Sequence, residues 1–210
     1  MPDKKSIAVI GAGGHARVVI GTLQAAGLPA GAVFDDNPSV WDTEILGVPV
    51  LGAVNRLTEE GYSRAVIAIG DNATRRRLSV QLRGIEWVTV IHPHAWIHPS
   101  VQVGAGTVVF AGAVIQPEAR IGSHVIINTG ATVDHECIIH DYAHIAPGAH
   151  LAGRVEIGEG AFIGIGSSVI QCCRVGAWAV IGAGAAVVRD IPDGVTAVGV
   201  PARALQNRRG

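Results

Sequence analysis

The sequence predicts a small α/β unit followed by a parallel β-helix, a chain wound into stacked coils. Two observations carry this. From Ile97 to Val187 every sixth residue is Ile, Val or Leu without an insertion, and the first 85 residues show a strand, glycine turn, helix, strand rhythm. A third fits both: 28 glycines and 4% aromatic residues suit tight repeated turns better than a bulky mixed core.

Ser6–Ile10 reads as a buried strand that runs into Gly11-Ala12-Gly13-Gly14-His15-Ala16 and then a helical stretch to about Ala26. Gly31–Phe34 is a second strand, ending at Asp35-Asp36. Ser63–Ile69 is a third, followed by Gly70 and a helix for which Asp71 or Asn72 is the N-cap. This is the βαβ order of a parallel sheet. Gly11-x-Gly13-x-x-Ala16 matches the dinucleotide fingerprint, with the acidic pair about 20 residues on, where a ribose-binding carboxylate is expected. Glycines let the backbone approach a pyrophosphate, and a helix N-terminus attracts negative charge. A tight βα turn without a ligand gives the same spacing. Residues 1–85 supply only a Rossmann-like half domain, which suits a nucleotide-linked substrate better than a two-ended redox cofactor. Residues 86–96 read as a linker.

The ladder runs Ile97, Val103, Val109, Ile115 and onward in steps of six to Val187. Four residues after each stands a small or β-branched partner, from Val101 and Thr107 to Ala185. Both sets point inward, so residues 97–190 form the β-helix and 191–210 a C-terminal tail. Cys137 and Cys173 fall in the small inward slot and read as core residues, not nucleophiles.

Register then turns His135, His140 and His144 outward, with Asp134, Glu136 and Asp141 among them. A solvated face accounts for His92, His94, His98, His124 and His150. For the other three, two chemistries compete. A zinc site needs three protein ligands and an open position. The gamma-class carbonic anhydrases build one on such a helix, but without a nucleotide-binding domain, and His98 lies one residue off the spacing they use. A general base needs one imidazole with a carboxylate to orient it, and Asp134-His135-Glu136 offers that.

Several stretches together resemble the bacterial hexapeptide-repeat N-acetyltransferases acting on UDP-4-amino-4,6-dideoxy sugars, with relatives acting on GDP-perosamine or sialic acid. They are Gly11–Ala16, Asp35-Asp36, Ala68–Asn72, Asn128–Cys137, His144, Ala152-Gly153 and Gly199–Ala202. The resemblance implies a left-handed helix, a homotrimer, and acetyl-CoA as co-substrate in the groove between neighbouring helices, with no metal. It implies His135 as catalytic base with Glu136 raising its basicity. The nucleotide sugar falls to Gly13, Gly14, His15, Asp35, Asp36, Gly70, Asn72 and Asn128. The coenzyme falls to His144, Gly153, Ile165, Gly182 and Ala183, with Gly164 and Gly182 leaving room for its arm and Arg203, Arg208 and Arg209 near its phosphates. Sialic acid O-acetylation is the alternative within that resemblance, and a non-catalytic trimeric scaffold built from a β-helix is a separate one.

A formal charge of -1 without a run of Lys or Arg argues against nucleic-acid or membrane-surface partners. No apolar stretch is long enough to span a bilayer. The odd count of 3 cysteines is a poor disulfide framework and points to a reducing cytoplasm.

Overall fold

The computed structural model describes residues 6–205. Arg208 and Arg209 lie outside the described residues. The first part is a six-stranded sheet in the order β3-β4-β2-β1-β5-β6. Its strands are β1 (Ile7–Ile10), β2 (Ala30–Phe34), β3 (Glu44–Ile45), β4 (Val48–Gly52), β5 (Arg64–Ile67) and β6 (Glu86–Trp87). All pair in parallel except β3 with β4. Helices α1 (Gly14–Ala25) and α2 (Asn72–Gln81) cover opposite faces. The sequence reading assigns nothing to β3 and β4; Val48-Pro-Val-Leu is short and interrupted by proline, which hides the strand.

The coils begin at Val90–Ile91, inside the stretch expected as a linker, while Glu86–Trp87 still belongs to the first sheet. Ile91 stands six before Ile97 and pairs beside Val109, so the ladder extends one rung further toward the N-terminus than the expected start at Ile97. Three parallel faces follow, with partners 18 residues apart: Val108 beside Ile126, Val114 beside Thr132, Arg120 beside Ile138. In cross-section the stack is a triangle. Ile115, Ile127, Ile145 and Ile157 are fully buried along its axis, as the ladder predicts. Cys137 is buried among them; burial pushes its thiol up to about 11, so it stays protonated. At each corner one residue takes positive φ, every sixth residue from Gly106 to Gly184. The C-terminal tail closes the first face: Thr196–Val198 pairs beside Val180–Ile181 and turns back as Arg203–Ala204.

The two parts share a core. On the first face the outward residues Val108 and Ile126 are 1% exposed, packed with Ala16 and Val19 of α1. The other faces show outward Thr132 and His150, or Arg120 and Glu156, at the equivalent positions. An apolar outward residue repeating every 18 is therefore the sequence signal for the docked face. Among the described residues no helix is long and apolar enough to cross a membrane.

Candidate active site

His135 stands at the corner between the second and third faces, after Thr132–Val133 and before Ile138–Ile139. Asp134 Oδ1 accepts from the His135 backbone N–H at 2.7 Å and stiffens the turn. His135 Nδ1 lies 2.9 Å from Glu136 Oε2. An ionised carboxylate only accepts, so Nδ1 carries the proton and Nε2 keeps its lone pair. Glu136 has φ 57, but Glu118 and Arg154 share the conformation at the same corner, so it belongs to the coil and is not strain peculiar to the site. The ring overlies Gly153 of the next coil, where a Cβ would collide with Nε2 and Cε1. Glycine at 153 is thus what lets the imidazole lie flat against the stack, half-exposed.

The other expected residues gather elsewhere. Gly13 is the N-cap of α1 and Gly14 its first residue, both exposed, leaving first-turn amides free to face an anion. Asp35 has both oxygens engaged: Oδ2 accepts from Ala12 N at 2.7 Å and Oδ1 from Asn37 N at 2.8 Å. Its role is to shape the glycine turn. Asp36 accepts from Val54 N through Oδ1 alone. Its side chain borders a cavity of about 420 Å³ with Asn55, Gln81 and Leu82. Gly70 lines a second cavity of about 360 Å³ with Asp71, Phe162, Trp178 and Val180.

Burial changes the reading of several polar groups. Asn72 is buried, and its Nδ2 donates to Gly160 O and Ala161 O across the junction. It joins the two parts, with Nδ2 committed to two carbonyls and Oδ1 accepting from Arg75, so its side-chain amide serves the junction even though the residue borders the Gly70 cavity. Asp71, not Asn72, caps α2, accepting from Thr74 N. His124 is 4% exposed, packed edge-on against Trp87 and stacked on Tyr142. The solvated-face reading fails for it because the first sheet covers that corner. His144 is also enclosed, with its ring against Phe162 and His15. Burial, then Arg75, then His15 hold its pKa at about 3. His15 is held at about 4 by burial and Arg75. Both are neutral near pH 7.

Gly164 and Gly182 are glycine for an internal reason. A Cβ on Gly164 would fall 2.5 Å from Ile181 O, and one on Gly182 would fall 2.7 Å from Cγ1 of Val198. The missing side chains make room for the chain's own coils. Ile165 and Ala183 are exposed at the corner between the first and second faces.

The expected set therefore divides. His135, Glu136 and Gly153 sit at the corner opposite the first face. Asn128 and His144, the glycine turn and Gly70 lie on or beside the first face. Ile165, Gly182 and Ala183 flank its far edge. His135, His140 and His144 likewise point to different sides of the triangle. Among the described residues no group of three His, Cys, Asp or Glu converges as a metal set. Sequence reasoning passed over Arg75, which is 1% exposed at the junction. Within Arg75-Arg76-Arg77 the only local mark of the inward arginine is its place three before Leu78, on the face of α2 that is buried.

Comparison with known proteins follows the same division. The PglD N-terminal domain matches residues 6–82, and the bacterial transferase hexapeptide (six repeats) matches residues 118–153. A histidine-to-asparagine variant of perosamine N-acetyltransferase from Caulobacter crescentus, in complex with CoA and GDP-perosamine, is 43% identical. It covers 99% of this chain and 100% of that one, with a TM-score of 0.94. The acetyltransferase domain of PglB from Neisseria gonorrhoeae, in complex with acetyl coenzyme A, is 39% identical over 97% of this chain and 100% of that one, TM-score 0.90. The UDP-N-acetylbacillosamine N-acetyltransferase of Bacillus subtilis (strain 168) is 41% identical over 115 residues, 51% of this chain. The chain spans 52% of the length of that curated relative and 20% of a matching mimivirus protein. The chain belongs to the family of hexapeptide-repeat sugar N-acetyltransferases with a PglD N-terminal domain.

Proposed function

We propose that the protein moves the acetyl group of acetyl-CoA to the amino group of a nucleotide-linked amino sugar, with His135 as general base. The His135–Glu136 pair carries this reading: a half-exposed imidazole with one nitrogen held by a carboxylate and the other left with its lone pair. The free amine attacks the thioester carbonyl, and His135 Nε2 takes the proton as the C–N bond forms. The tetrahedral oxyanion faces the Gly153 amide. The C–S bond then breaks, and the proton passes from His135 to the departing sulfur. No acyl-enzyme is needed, and Cys137 is too deep to form one. Two Caulobacter structures hold CoA and GDP-perosamine although a histidine has been replaced, by asparagine or by alanine. A histidine dispensable for binding both ligands suits a role in the chemical step.

The divided site favours assembly from more than one chain. Within one chain the whole width of the coil separates His135 from the glycine turn. In a homotrimer the His135 corner of one chain meets the first-face side of its neighbour, and the sugar nucleotide bridges the two. Asp36, with one oxygen unengaged, reads the ribose or base, and the α1 N-terminus holds the phosphates.

Subunit mixing tests this. His135→Ala removes the base. Gly13→Asp puts a good N-cap residue at an open position, so α1 persists while its carboxylate repels phosphate. Each variant alone is expected to be inactive. Refolded together one to one, they should recover about a quarter of wild-type turnover, the chance that randomly assorted neighbours supply both intact halves. No recovery places the whole site within one chain. No transfer by wild type to any UDP- or GDP-linked amino sugar rejects the activity itself.

A further inference from the structure

The first turn of α2 holds the coil stack through backbone carbonyls. At the corner between the third and first faces, successive coils turn through His124, Tyr142 and Gly160, each with positive φ. Arg75 Nε donates to His124 O at 2.8 Å and its Nη2 to Tyr142 O at 2.6 Å. Asn72 takes the third carbonyl, Gly160 O, at 2.9 Å. Arg75 also reaches back to its own part: Nη1 donates to Ile69 O at 3.1 Å and to Gly70 O at 3.2 Å. Its buried charge is surrounded by carbonyl and amide oxygens, and among the described residues no carboxylate forms an ion pair with it. A lysine ammonium, a point charge without the planar fork, does not span these oxygens.

The Gly70 carbonyl has a second donor. His144 Nδ1 lies 3.4 Å from it, and a carbonyl only accepts, so Nδ1 bears the proton. His144 Nε2 then accepts from Asn128 Nδ2 at 3.2 Å. The Asn128 amide is fixed in this sense because its Oδ1 accepts from Thr129 N at 2.8 Å. The chain Gly70–His144–Asn128–Thr129 is thus pinned at both ends by backbone groups of fixed polarity.

We propose that Arg75 is a positioning residue for the acetyl transfer. It clamps the Gly70 carbonyl to the coil and, through it, sets the tautomer of His144 and the aim of the Asn128 amide toward the sugar. The kinetic part rests on the function proposed above. The burial that keeps His144 neutral leaves its tautomer as the variable that matters.

Arg75→Lys tests this by keeping the charge and removing the fork. Long-range ¹H–¹⁵N spectra of ¹⁵N-histidine protein should show His144 as the Nδ1–H tautomer in wild type and a shift toward Nε2–H in the variant. kcat/KM for the nucleotide sugar should fall about ten- to a hundredfold, the usual effect of a misplaced substrate contact. A variant with an unchanged tautomer, or one that loses only active fraction with KM for the nucleotide sugar intact, overturns the proposal. So does wild-type His144 found as Nε2–H. If Arg75→Lys does not fold, Asn72→Ala, which releases one arm of the guanidinium, should move the tautomer the same way by less; an unchanged tautomer there overturns it equally. The spectra are read whether or not wild type acetylates a sugar, so failure of the activity and failure of the relay are separate results.

Discussion

His135 and His144 come from one short polar stretch and turn out to be opposites. His135 lies half-exposed at a corner with a carboxylate on its Nδ1. His144 lies 7% exposed on a flat face, between a guanidinium's field and another imidazole, with a backbone carbonyl on its Nδ1. A carboxylate stabilises the imidazolium that forms when a base takes a proton; burial and a nearby guanidinium oppose it. The surroundings of one histidine favour its protonated form and those of the other its neutral form, which is the contrast the proposed roles use. Their neighbours in sequence do differ, Asp134 and Glu136 beside one and Ala143 and Ile145 beside the other, but these do not say which ring is covered. What differs is that the first sheet covers one face of the triangle and leaves the opposite corner open.

The comparison breaks first at His135. His135→Ala is expected to lower turnover by about two to four orders of magnitude with an unchanged melting curve, measured by thiol release from acetyl-CoA. A variant retaining near-normal turnover removes the base from that corner.

Acid titration sharpens the other side. His15, His124 and His144 are held at about 4, 4 and 3, below their unfolded value of 6.5. Below pH 6.5 the unfolded chain binds protons that the folded chain refuses, so stability is full above that pH and falls as pH drops toward 4. Each buried histidine contributes a loss of about 1.4 kcal/mol per pH unit in that window. Urea midpoints at pH 7, 6 and 5 should fall steadily, and His124→Phe should reduce the slope. A flat profile means that these rings are not enclosed.

Glu136→Gln keeps the size and an acceptor but loses the charge that favours imidazolium. It should cut turnover by about one to two orders of magnitude with little change in KM. Smallest is Asp36→Asn, which should raise KM for the nucleotide sugar about three- to tenfold, the worth of one hydrogen bond, and leave turnover near normal. Unchanged KM would assign Asp36 to the Val54 turn alone.

The readable parts of this protein share a short range. The ladder from Ile97 to Val187 is legible because each inward residue repeats after six and the coil has only one inside. His135 is legible because Asp134 and Glu136 adjoin it in the chain. The parts passed over or read otherwise depend on distant partners. Arg75 bonds to His124, 49 residues on, and Asn72 to Ala161, 89 residues on. Asn72 looks like a ligand residue because a glycine loop precedes it, yet both ends of its amide are engaged at the junction. Gly164 looks like an opening for a ligand, yet the next coil's backbone fills the space.

By itself the sequence determined which side of every coil faces inward, because aliphatic burial with a strict period admits one register. It also determined the glycine turn at α1 and set His135 between two carboxylates, the pairing on which the proposed base rests. Only the tertiary structure decided which face the first sheet covers, and hence that His144 and His124 are enclosed while His135 is open. The physical reason is that exposure and field at a side chain come from whatever packs over it, and here that cover arrives from residues remote in the chain.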